Sequence, residues 1–452
     1  MKIIKWILWL VLFLVVIVAG GAIFLVTTVD PNELKPQISK QVESATGRTL
    51  TLAGDLSWQF FPWVGVAIND FSLSNRPGFE PEHMLKAEKV DVQVKLLPLL
   101  SKKLEIGQVV LQSPDINLAI NERGETNWGD LAGDGAAPSE APEQEVGAML
   151  GGLVIQGVSI NEGNINWVDQ AAGQQYRLQE FSINTGVIEP GEPVDLELKT
   201  GVSGSGLPAD ATVELAGSLL LNEAMDALTL SNFSKQVTMD GGTTRLEFVS
   251  LDYSLASGYL QLADIQLQAS DMKLEGTMEA VAGNLDITRL AMDQESGLIE
   301  LDALAGKLSG SMVDAASSVP LSAEINLEDL KFALESQLLN LGRLQYSGEY
   351  DVFPFQGALS DLRFDVGRNA LQLAEHSVSS TYSDIPVALS GTGLQADIAN
   401  QTLALPELNI TAGEARISAN VQVSQLLGDL QASGHLATNR FNARSLLDKL
   451  EI

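Results

Sequence analysis

Regular alternation of apolar and polar residues is the feature that most limits how this chain can fold. It begins after Arg48 and recurs, segment after segment, towards the C-terminus. Successive side chains of a strand point to opposite faces of a sheet, so a period of two predicts strands with one apolar and one polar face. The apolar positions of the clearest segments are Val90, Val92, Val94, Leu96, Ile116, Leu118, Ile120, Leu196, Leu198, Leu260, Leu262, Leu362, Phe364 and Val366. We therefore predict a mainly β protein with a long antiparallel sheet.

An apolar sheet face must be covered by helices, by a second sheet or by an apolar guest. Helical patterns are few, and they predict helices only over 31–45, 143–150, 327–344 and 441–450. So little helix cannot cover a sheet of about twenty strands of ordinary length. Two arrangements remain open: a sheet folded on itself as a dry sandwich, and a curled sheet with an open apolar groove.

An uncharged segment precedes the alternating region. Residues 6–29 carry no charge, and these 24 positions exceed the roughly 20 needed to span a bilayer as a helix. The length favours a retained transmembrane helix over a signal peptide, whose apolar core has about 7 to 15 residues. Lys2 and Lys5 precede the segment and Asp30 and Glu33 follow it. The positive-inside rule therefore places the N-terminus in the cytoplasm and the bulk of the chain outside it.

Six large aromatic residues crowd into residues 55–79 of a chain that is only 6% aromatic. Just before them, Leu34, Ile38 and Val42 are spaced four apart, which predicts an amphipathic helix over 31–45 that lies on the first strands. Two roles suit the rings: packing under that helix, and a doorway where a lipid leaves the bilayer and meets the sheet. The candidates for the doorway are Trp58, Phe60, Phe61 and Trp63.

Composition argues against several classes of function. The formal net charge of −31 repels nucleic-acid phosphates. There is no cysteine, and the three histidines are far apart in sequence. Nucleotide-binding, metalloprotease and nucleophile-elbow motifs do not occur, and the spacing of Asp130 and Asp134 fits no calcium loop. We therefore expect no enzymatic activity, no cofactor, no metal and no nucleic-acid partner.

Short motifs after the uncharged segment resemble a known family. They are TGR at 46–48, FPW at 61–63, PGF at 77–79, LLPLL at 96–100 and GETNW at 124–128. Their order resembles that of the N-terminal region of the AsmA family of Gram-negative bacteria. Looser likeness at 181–198 and 441–450 extends the resemblance nearly end to end.

The resemblance implies a single-pass inner-membrane protein whose bulk is periplasmic and which acts in outer-membrane biogenesis. AsmA-like proteins are similar to bridge-like lipid-transfer proteins, including TamB and chorein proteins, in which phospholipid acyl chains move along a curled, open sheet with an apolar floor. The resemblance to the AsmA family thus favours the open groove over the dry sandwich. It also implies phospholipid and outer-membrane assembly components as partners. The alternating residues named above are then the groove candidates.

The expected organisation combines these observations. It comprises a transmembrane anchor over 1–29, a cap of helix and first strands over 30–131, an acidic linker over 132–145 and an elongated β-sheet groove over 146–452. Family members usually continue well past a segment like 441–450, so we expect a groove that is short or truncated at its C-terminal end. The competing hypothesis is a scaffold that binds outer-membrane protein precursors by strand addition instead of carrying lipid.

Overall fold

The computed structural model forms two compact units, Met1–Glu223 (unit 1) and Ala224–Ile452 (unit 2), which we describe separately. The residues described are 30–59, 64–94, 105–129, 154–189, 191–274, 278–314, 317–426 and 429–449. None of the helices in these ranges is long and apolar enough to cross a membrane. The predicted anchor over 6–29 and the predicted linker over 132–145 lie outside these ranges, as does the predicted helix over 143–150.

Unit 1 begins with the predicted amphipathic helix. A 3-10 turn, Pro31–Leu34, leads into α1, Lys35–Thr46. The Asp30 carboxylate accepts a hydrogen bond from the Asn32 backbone N–H at 2.9 Å, and the helix ends at Gly47, whose φ of 67° few other residues adopt. Leu34, Ile38 and Val42 are half-buried, and α1 packs on the first strand. The prediction for this segment is confirmed.

The strands of unit 1 form a mixed sheet. They are β1 Leu50–Leu52, β2 Leu56–Gln59, β3 Val64–Ser74, β4 His83–Val94, β5 Glu105–Ile106, β6 Val109–Gln112, β7 Asp115–Ile120, β8 Val154–Ile155, β9 Val158–Asp169, β10 Gln174–Thr185, β11 Val194–Gly204 and β12 Ala211–Leu221. Most neighbours are antiparallel, but β5–β8, β6–β9 and β7–β9 are parallel. The prediction that the sheet is antiparallel throughout was therefore wrong for unit 1. Parallel partners need a long crossover, which the chain between β7 and β9 provides and which strand periodicity does not reveal.

Unit 2 is an antiparallel meander. Its strands are β13 Ala227–Met239, β14 Gly242–Ser254, β15 Tyr259–Leu274, β16 Met278–Asp293, β17 Leu298–Asp314, β18 Ser317–Ala333, β19 Leu338–Tyr350, β20 Phe353–Asp365, β21 Ala370–Tyr382, β22 Ile385–Asp397, β23 Thr402–Ala412, β24 Ala415–Ser424 and β25 Gln431–Thr438. Each pairs antiparallel with the next along the chain. Helix α2, Ala443–Lys449, follows β25 and confirms the helix predicted over 441–450. The prediction of a mainly β protein with few helices is confirmed for the described ranges.

The prediction of a helix over 327–344 was wrong, because this segment contains the end of β18, a turn and the start of β19. Its leucines at 327 and 330, and again at 341 and 344, are three residues apart, which imitates a helical period. The spacing instead reflects a bend in the strands: Asp329 has a φ of 54°. A single left-handed residue shifts the alternation by one, so Leu327 and Leu330 occupy one sheet face.

Candidate functional site

The apolar side of unit 2 is organised in rows of paired residues that cross the strands. One row consists of ten leucines, one per strand from β13 to β22, each paired in register with the next. They are Leu230, Leu251, Leu262, Leu290, Leu301, Leu330, Leu341, Leu362, Leu373 and Leu394. We call it the leucine row. Cross-strand apolar pairs of this kind are the usual unit of sheet stabilisation.

Two further rows flank the leucine row. The outer row passes through all thirteen strands of unit 2: Leu228, Tyr253, Leu260, Met292, Ile299, Phe332, Leu339, Phe364, Leu371, Ala396, Leu403, Val423 and Ala432. The inner row runs from β15 to β25 as Ile265, Ile287, Leu304, Leu327, Leu344, Leu359, His376, Gly391, Leu408, Ala419 and Leu436. Together the three rows make a continuous apolar face, which we call the apolar face of unit 2.

A line of bends separates the leucine row from the inner row. Four strands carry a residue of positive φ between these rows: Asp264 (52°), Asp329 (54°), Asp361 (48°) and Gly393 (69°). On β13, which the inner row does not reach, Asn232 (50°) follows Leu230 of the leucine row in the same way. Asn, Asp and Gly are the residues that adopt this conformation at least cost. The four side chains of the Asn and Asp residues are exposed, whereas Leu341 and Leu373 beside the line are only 7% exposed. Crowded apolar side chains on one side and exposed polar ones on the other indicate that the sheet curls with its apolar face on the inside.

Asp361 allows a direct test of the bend. We expect Asp361→Val to destabilise unit 2 by about 1–2 kcal/mol, because a β-branched residue is strained at positive φ, whereas Asp361→Gly should be nearly neutral. Urea unfolding followed by far-UV circular dichroism measures both. Equal losses in the two variants would mean that the carboxylate, and not the backbone conformation, is what matters at this position.

The apolar face is left largely uncovered by the described part of the chain. Each strand of unit 2 packs mainly against its sequence neighbours, and α2 approaches the sheet near Gly413, at the turn between β23 and β24. Most apolar side chains of the rows are half-buried. Leu308 and Ile325, which extend the apolar face beyond the inner row on β17 and β18, are each 39% exposed. A dry sandwich would bury them almost completely, so these strands form an open, curled sheet.

The groove candidates named from the sequence fall on apolar faces of both units. In unit 2, Leu260 and Phe364 belong to the outer row and Leu262 and Leu362 to the leucine row. Val366 lies one residue past the end of β20, in a turn, and is 40% exposed. The sequence reading missed the other eight leucines of the leucine row. Pairs of apolar residues three apart around an Asp or Asn, as in LADI at 262–265 and LSDL at 359–362, were the available signal.

Unit 1 brings its candidates together in the same way. Trp58 pairs with Val66, which pairs with Val92, while Val90 pairs with Ile68 and Leu111. Ile116, Leu118 and Ile120 of β7 pair with Ile165, Trp167 and Asp169 of β9, and Leu196 and Leu198 pair with Gly217 and Leu215. Val94 pairs with Val64 and Ile106. Leu96, Phe60, Phe61 and Trp63 lie outside the described residues.

Unit 1 also contains a buried polar hub that sequence reasoning did not single out. Asn127 is fully buried and Arg48 is 2% exposed. Asn127 accepts a hydrogen bond from the Ala119 N–H at 2.9 Å and donates to Asn75 Oδ1 at 2.9 Å and to the Asn117 carbonyl at 2.8 Å. The Arg48 guanidinium donates to the Asn127 carbonyl. The TGR and GETNW motifs therefore meet in space, which explains why these residue types occur together.

His376 is the polar exception in the inner row. Its ring lies over Gly391, where a Cβ atom would sit 2.5 Å from the imidazole Cε1, and its Nδ1 atom is buried without a hydrogen-bond partner. Lys235 on β13, which the inner row does not reach, pairs with Leu246 and is exposed. Apart from His376, the three rows consist of apolar residues and Gly391, so the face offers contacts to hydrocarbon and almost none to a polar ligand.

The opposite face of unit 2 carries the charges. Lys331 Nζ lies 2.9 Å from Glu300 Oε1, and the Arg289 guanidinium reaches Glu300 at 3.3 Å and Asp302 at 2.9 Å. The hydrogen bond from Lys331, followed by that from Arg289, lowers the pKa of the Glu300 carboxyl. A shallow concavity of about 640 Å³ on β13–β18 is lined by polar residues such as Gln236, Asn284 and the Lys307–Glu324 ion pair and by apolar ones such as Leu308 and Ala323. The named polar groups have partners on the protein, since Arg245 donates to Gln236, Asn284 donates to Asp286, and Lys307 pairs with Glu324.

Glu300 predicts a pH dependence of stability. Because its pKa is lowered on folding, its contribution is present above the unfolded value of about 4.3 and is lost as the pH falls through the folded value. We therefore expect Glu300→Gln to lower the urea midpoint at pH 7 and to have little effect near pH 3. The difference should stay below about 1 kcal/mol because the pair is partly exposed. Glu295→Gln, in an exposed turn, is the control, and a pH-independent loss would contradict the assignment.

The sequence is similar to one known protein family and to two of its members. The model of the family described as AsmA family matches residues 1–424. Protein AsmA of Escherichia coli K12 is 36% identical over 109 residues, which cover 24% of this chain and 17% of that protein. AsmA family protein YhjG of the same organism is 31% identical over 128 residues, 26% of this chain and 18% of that protein. The aligned parts thus span less than a fifth of either relative. No solved structure matches.

Proposed function

The chain belongs to the AsmA family, and from this premise we propose that it binds phospholipid by its acyl chains and conveys it along the apolar face of the curled sheet. The single observation that carries the proposal is the open apolar face of unit 2. A face this apolar has a large cost of exposure to water. An acyl chain removes that cost without requiring any helix or second sheet.

The chemistry of the face suits hydrocarbon better than a shaped small molecule. A typical ligand pocket combines apolar walls with a few placed polar groups, whereas the three rows are almost wholly aliphatic and aromatic. Leucine side chains paired along ten strands present equivalent contacts at each step. A guest can therefore shift from strand to strand with little change in contact energy, which is what conveying a lipid requires.

Dimensions are compatible with this role. Neighbouring strands lie about 4.8 Å apart, so the thirteen strands of unit 2 correspond to roughly 60 Å across the strand direction. The rows run in that direction, perpendicular to the strands. Acyl chains would lie inside the curl and the polar headgroup would stay at the rim, in water.

The proposed location follows from the N-terminal sequence. Residues 6–29 would cross the inner membrane once, with the N-terminus cytoplasmic and the bulk of the chain periplasmic. The first strands would then lie next to the outer leaflet. Trp58, whose ring is half-buried on the apolar face of unit 1, is the described member of the proposed doorway. Through lipid supply the protein would act in outer-membrane biogenesis, and the proposal includes no enzymatic step.

Mass spectrometry of the purified full chain tests the proposal. The protein is extracted in a detergent that does not strip lipid, and bound phospholipid is quantified per protein molecule against a membrane protein of similar span without a β-sheet. We expect at least one phospholipid per chain, with acyl chains protected from added phospholipase. Lipid content no higher than that of the comparison protein would contradict the proposal and favour the scaffold hypothesis.

A further inference from the structure

Three exposed aromatic residues lie side by side at one end of the strands of unit 2. Tyr350 on β19 pairs in register with Phe353 on β20. The Phe353 ring stacks on the Tyr382 ring of β21, with the ring centroids 5.7 Å apart and the planes 12° from parallel. Their side chains are 43%, 38% and 40% exposed. We call these three residues the aromatic rim, and their exposure leaves the rings available to a ligand.

The aromatic rim continues the apolar face of unit 2. Tyr350 and Leu344 of the inner row are separated by an even number of positions on β19, as are Phe353 and Leu359 on β20. Tyr382 follows the inner-row residue of β21 in the same way. None of the intervening residues, all of them described, has a positive φ, so alternation keeps each pair on one face. A guest on the apolar face therefore meets these rings where the face ends.

Carboxylates flank the aromatic rim, and the neighbouring segments of the chain carry no lysine or arginine. Asp351 lies in the β19–β20 turn and Asp384 in the neighbouring β21–β22 turn, and both are exposed. Residues 344–362 and 369–415 contain neither lysine nor arginine. Arg416, the next basic residue, is on β24 at a position that alternation assigns to the polar face. The electrostatic environment of the rim thus favours a cation and disfavours an anion.

Rings and carboxylates together are suited to an ammonium group, because the face of an aromatic ring attracts cations through its quadrupole. We propose that the aromatic rim, with the carboxylates of Asp351 and Asp384, binds the ammonium group of a zwitterionic phospholipid such as one with an ethanolamine headgroup. This assignment rests on the proposed function, since the acyl chains of the same lipid lie on the apolar face. An anionic headgroup without an ammonium would meet the carboxylates with no compensating contact.

The opposite rim is less suited to a headgroup. Its turns carry the aliphatic residues Leu334, Val366 and Ile398, which are 43%, 40% and 45% exposed and offer neither a ring quadrupole nor a hydrogen bond. A further β-strand has no free ladder at the aromatic rim, because this rim lies at strand ends beside turns and not along a sheet edge. The difference between the two rims would hold each lipid with its ammonium group at the aromatic rim.

Headgroup selectivity of the purified full chain tests the proposal. Mixed micelles supply dioleoyl phospholipids with ethanolamine and with glycerol headgroups in equal amounts, and mass spectrometry quantifies the lipid of each headgroup that stays with the protein. We expect the ethanolamine lipid to be enriched about fivefold or more. Equal uptake of the two lipids would overturn the headgroup assignment and leave the proposed function intact. Uptake of neither lipid would contradict the proposed function, and the headgroup assignment with it.

Removing the two carboxylates should remove the selectivity. Asp351→Asn with Asp384→Asn is expected to lower the enrichment below about twofold with total lipid unchanged, because both residues lie in turns. Their φ values of 56° and 64° suit asparagine as well as aspartate, so folding should survive. The control, Asp240→Asn with Asp271→Asn, makes the same change at φ values of 48° and 52°, on β13–β15 and away from the rings. Equal losses in both variants would assign the selectivity to overall charge and overturn the proposal.

A second variant separates the rings from the carboxylates. Phe353→Leu with Tyr382→Leu keeps apolar side chains, so total lipid should be unchanged, whereas the enrichment should fall below about twofold as the ring quadrupoles are lost. Full enrichment in this variant would mean that the carboxylates act without the rings, and the proposed site would be wrong. It would also be wrong if the two lipids were taken up equally while a lysine-containing peptide bound the full chain and lost binding in Asp351→Asn with Asp384→Asn, since the occupant would then be a polypeptide.

Discussion

Two glutamates on the apolar face of unit 2, Leu308→Glu with Ile325→Glu, are expected to lower the phospholipid bound to the purified protein at least tenfold. Leu308 pairs with Ala323 and Ile325 with Gly306, so the two side chains are diagonal neighbours on β17 and β18. Each is 39% exposed, so the charges remain hydrated in the empty protein and folding should survive. A bound acyl chain would strip that water away, at a cost of several kcal/mol per carboxylate.

The control variant uses the next residue on each strand. Ser309→Glu with Asn326→Glu adds the same charge on the opposite, polar face, where both residues are exposed. We expect unchanged lipid content for this variant and unchanged far-UV circular dichroism for both. A loss of lipid in both variants would point to net charge as the cause. No loss in either variant would show that the apolar face of unit 2 is not the lipid-binding surface.

The second large effect is expected in unit 1, where Asn127→Ala should destabilise the fold by about 3 kcal/mol. The amide of Asn127 satisfies the Ala119 N–H, Asn75 Oδ1 and the Asn117 carbonyl in a site without solvent access. Removing it leaves buried polar groups unpaired, which costs more than the hydrogen bonds themselves contribute. Hydrogen exchange of β3, β4 and β7 measures the loss.

Asn121→Ala is the matched control, because its hydrogen bonds to Arg123 and Glu125 lie in the same turn but are exposed. We expect that variant to lose less than about 1 kcal/mol. Similar losses for Asn121→Ala and Asn127→Ala would mean that the turn, and not burial of the amide, determines stability. A loss in Asn127→Ala that spreads to the amides of unit 2 would contradict its assignment to unit 1.

Local patterns predicted the local structure well. Leu34, Ile38 and Val42 indicated α1, and the alternation around Leu260 and Leu362 indicated β15 and β20, because each pattern depends on residues close in sequence. The error over 327–344 arose where Asp329 bends β18, since one left-handed residue turns a period of two into an apparent period near three. The parallel pairing of β7 with β9 and the contact of Arg48 with Asn127 join residues far apart in sequence, and no local pattern reports such contacts.

By itself the sequence determined which side chains share a face and that this face is hydrocarbon-like, because alternation along a strand assigns each residue to one side or the other. Only the tertiary structure decided that the apolar face in unit 2 is curled and left open. The alternation of apolar and polar residues is identical in a dry sandwich and in an open groove, so the sequence pattern cannot distinguish them. The rows of paired leucines arise from strand registers, which continue unchanged across bends such as those at Asp264 and Asp361. Register is a relation between strands, and it is fixed when the strands meet.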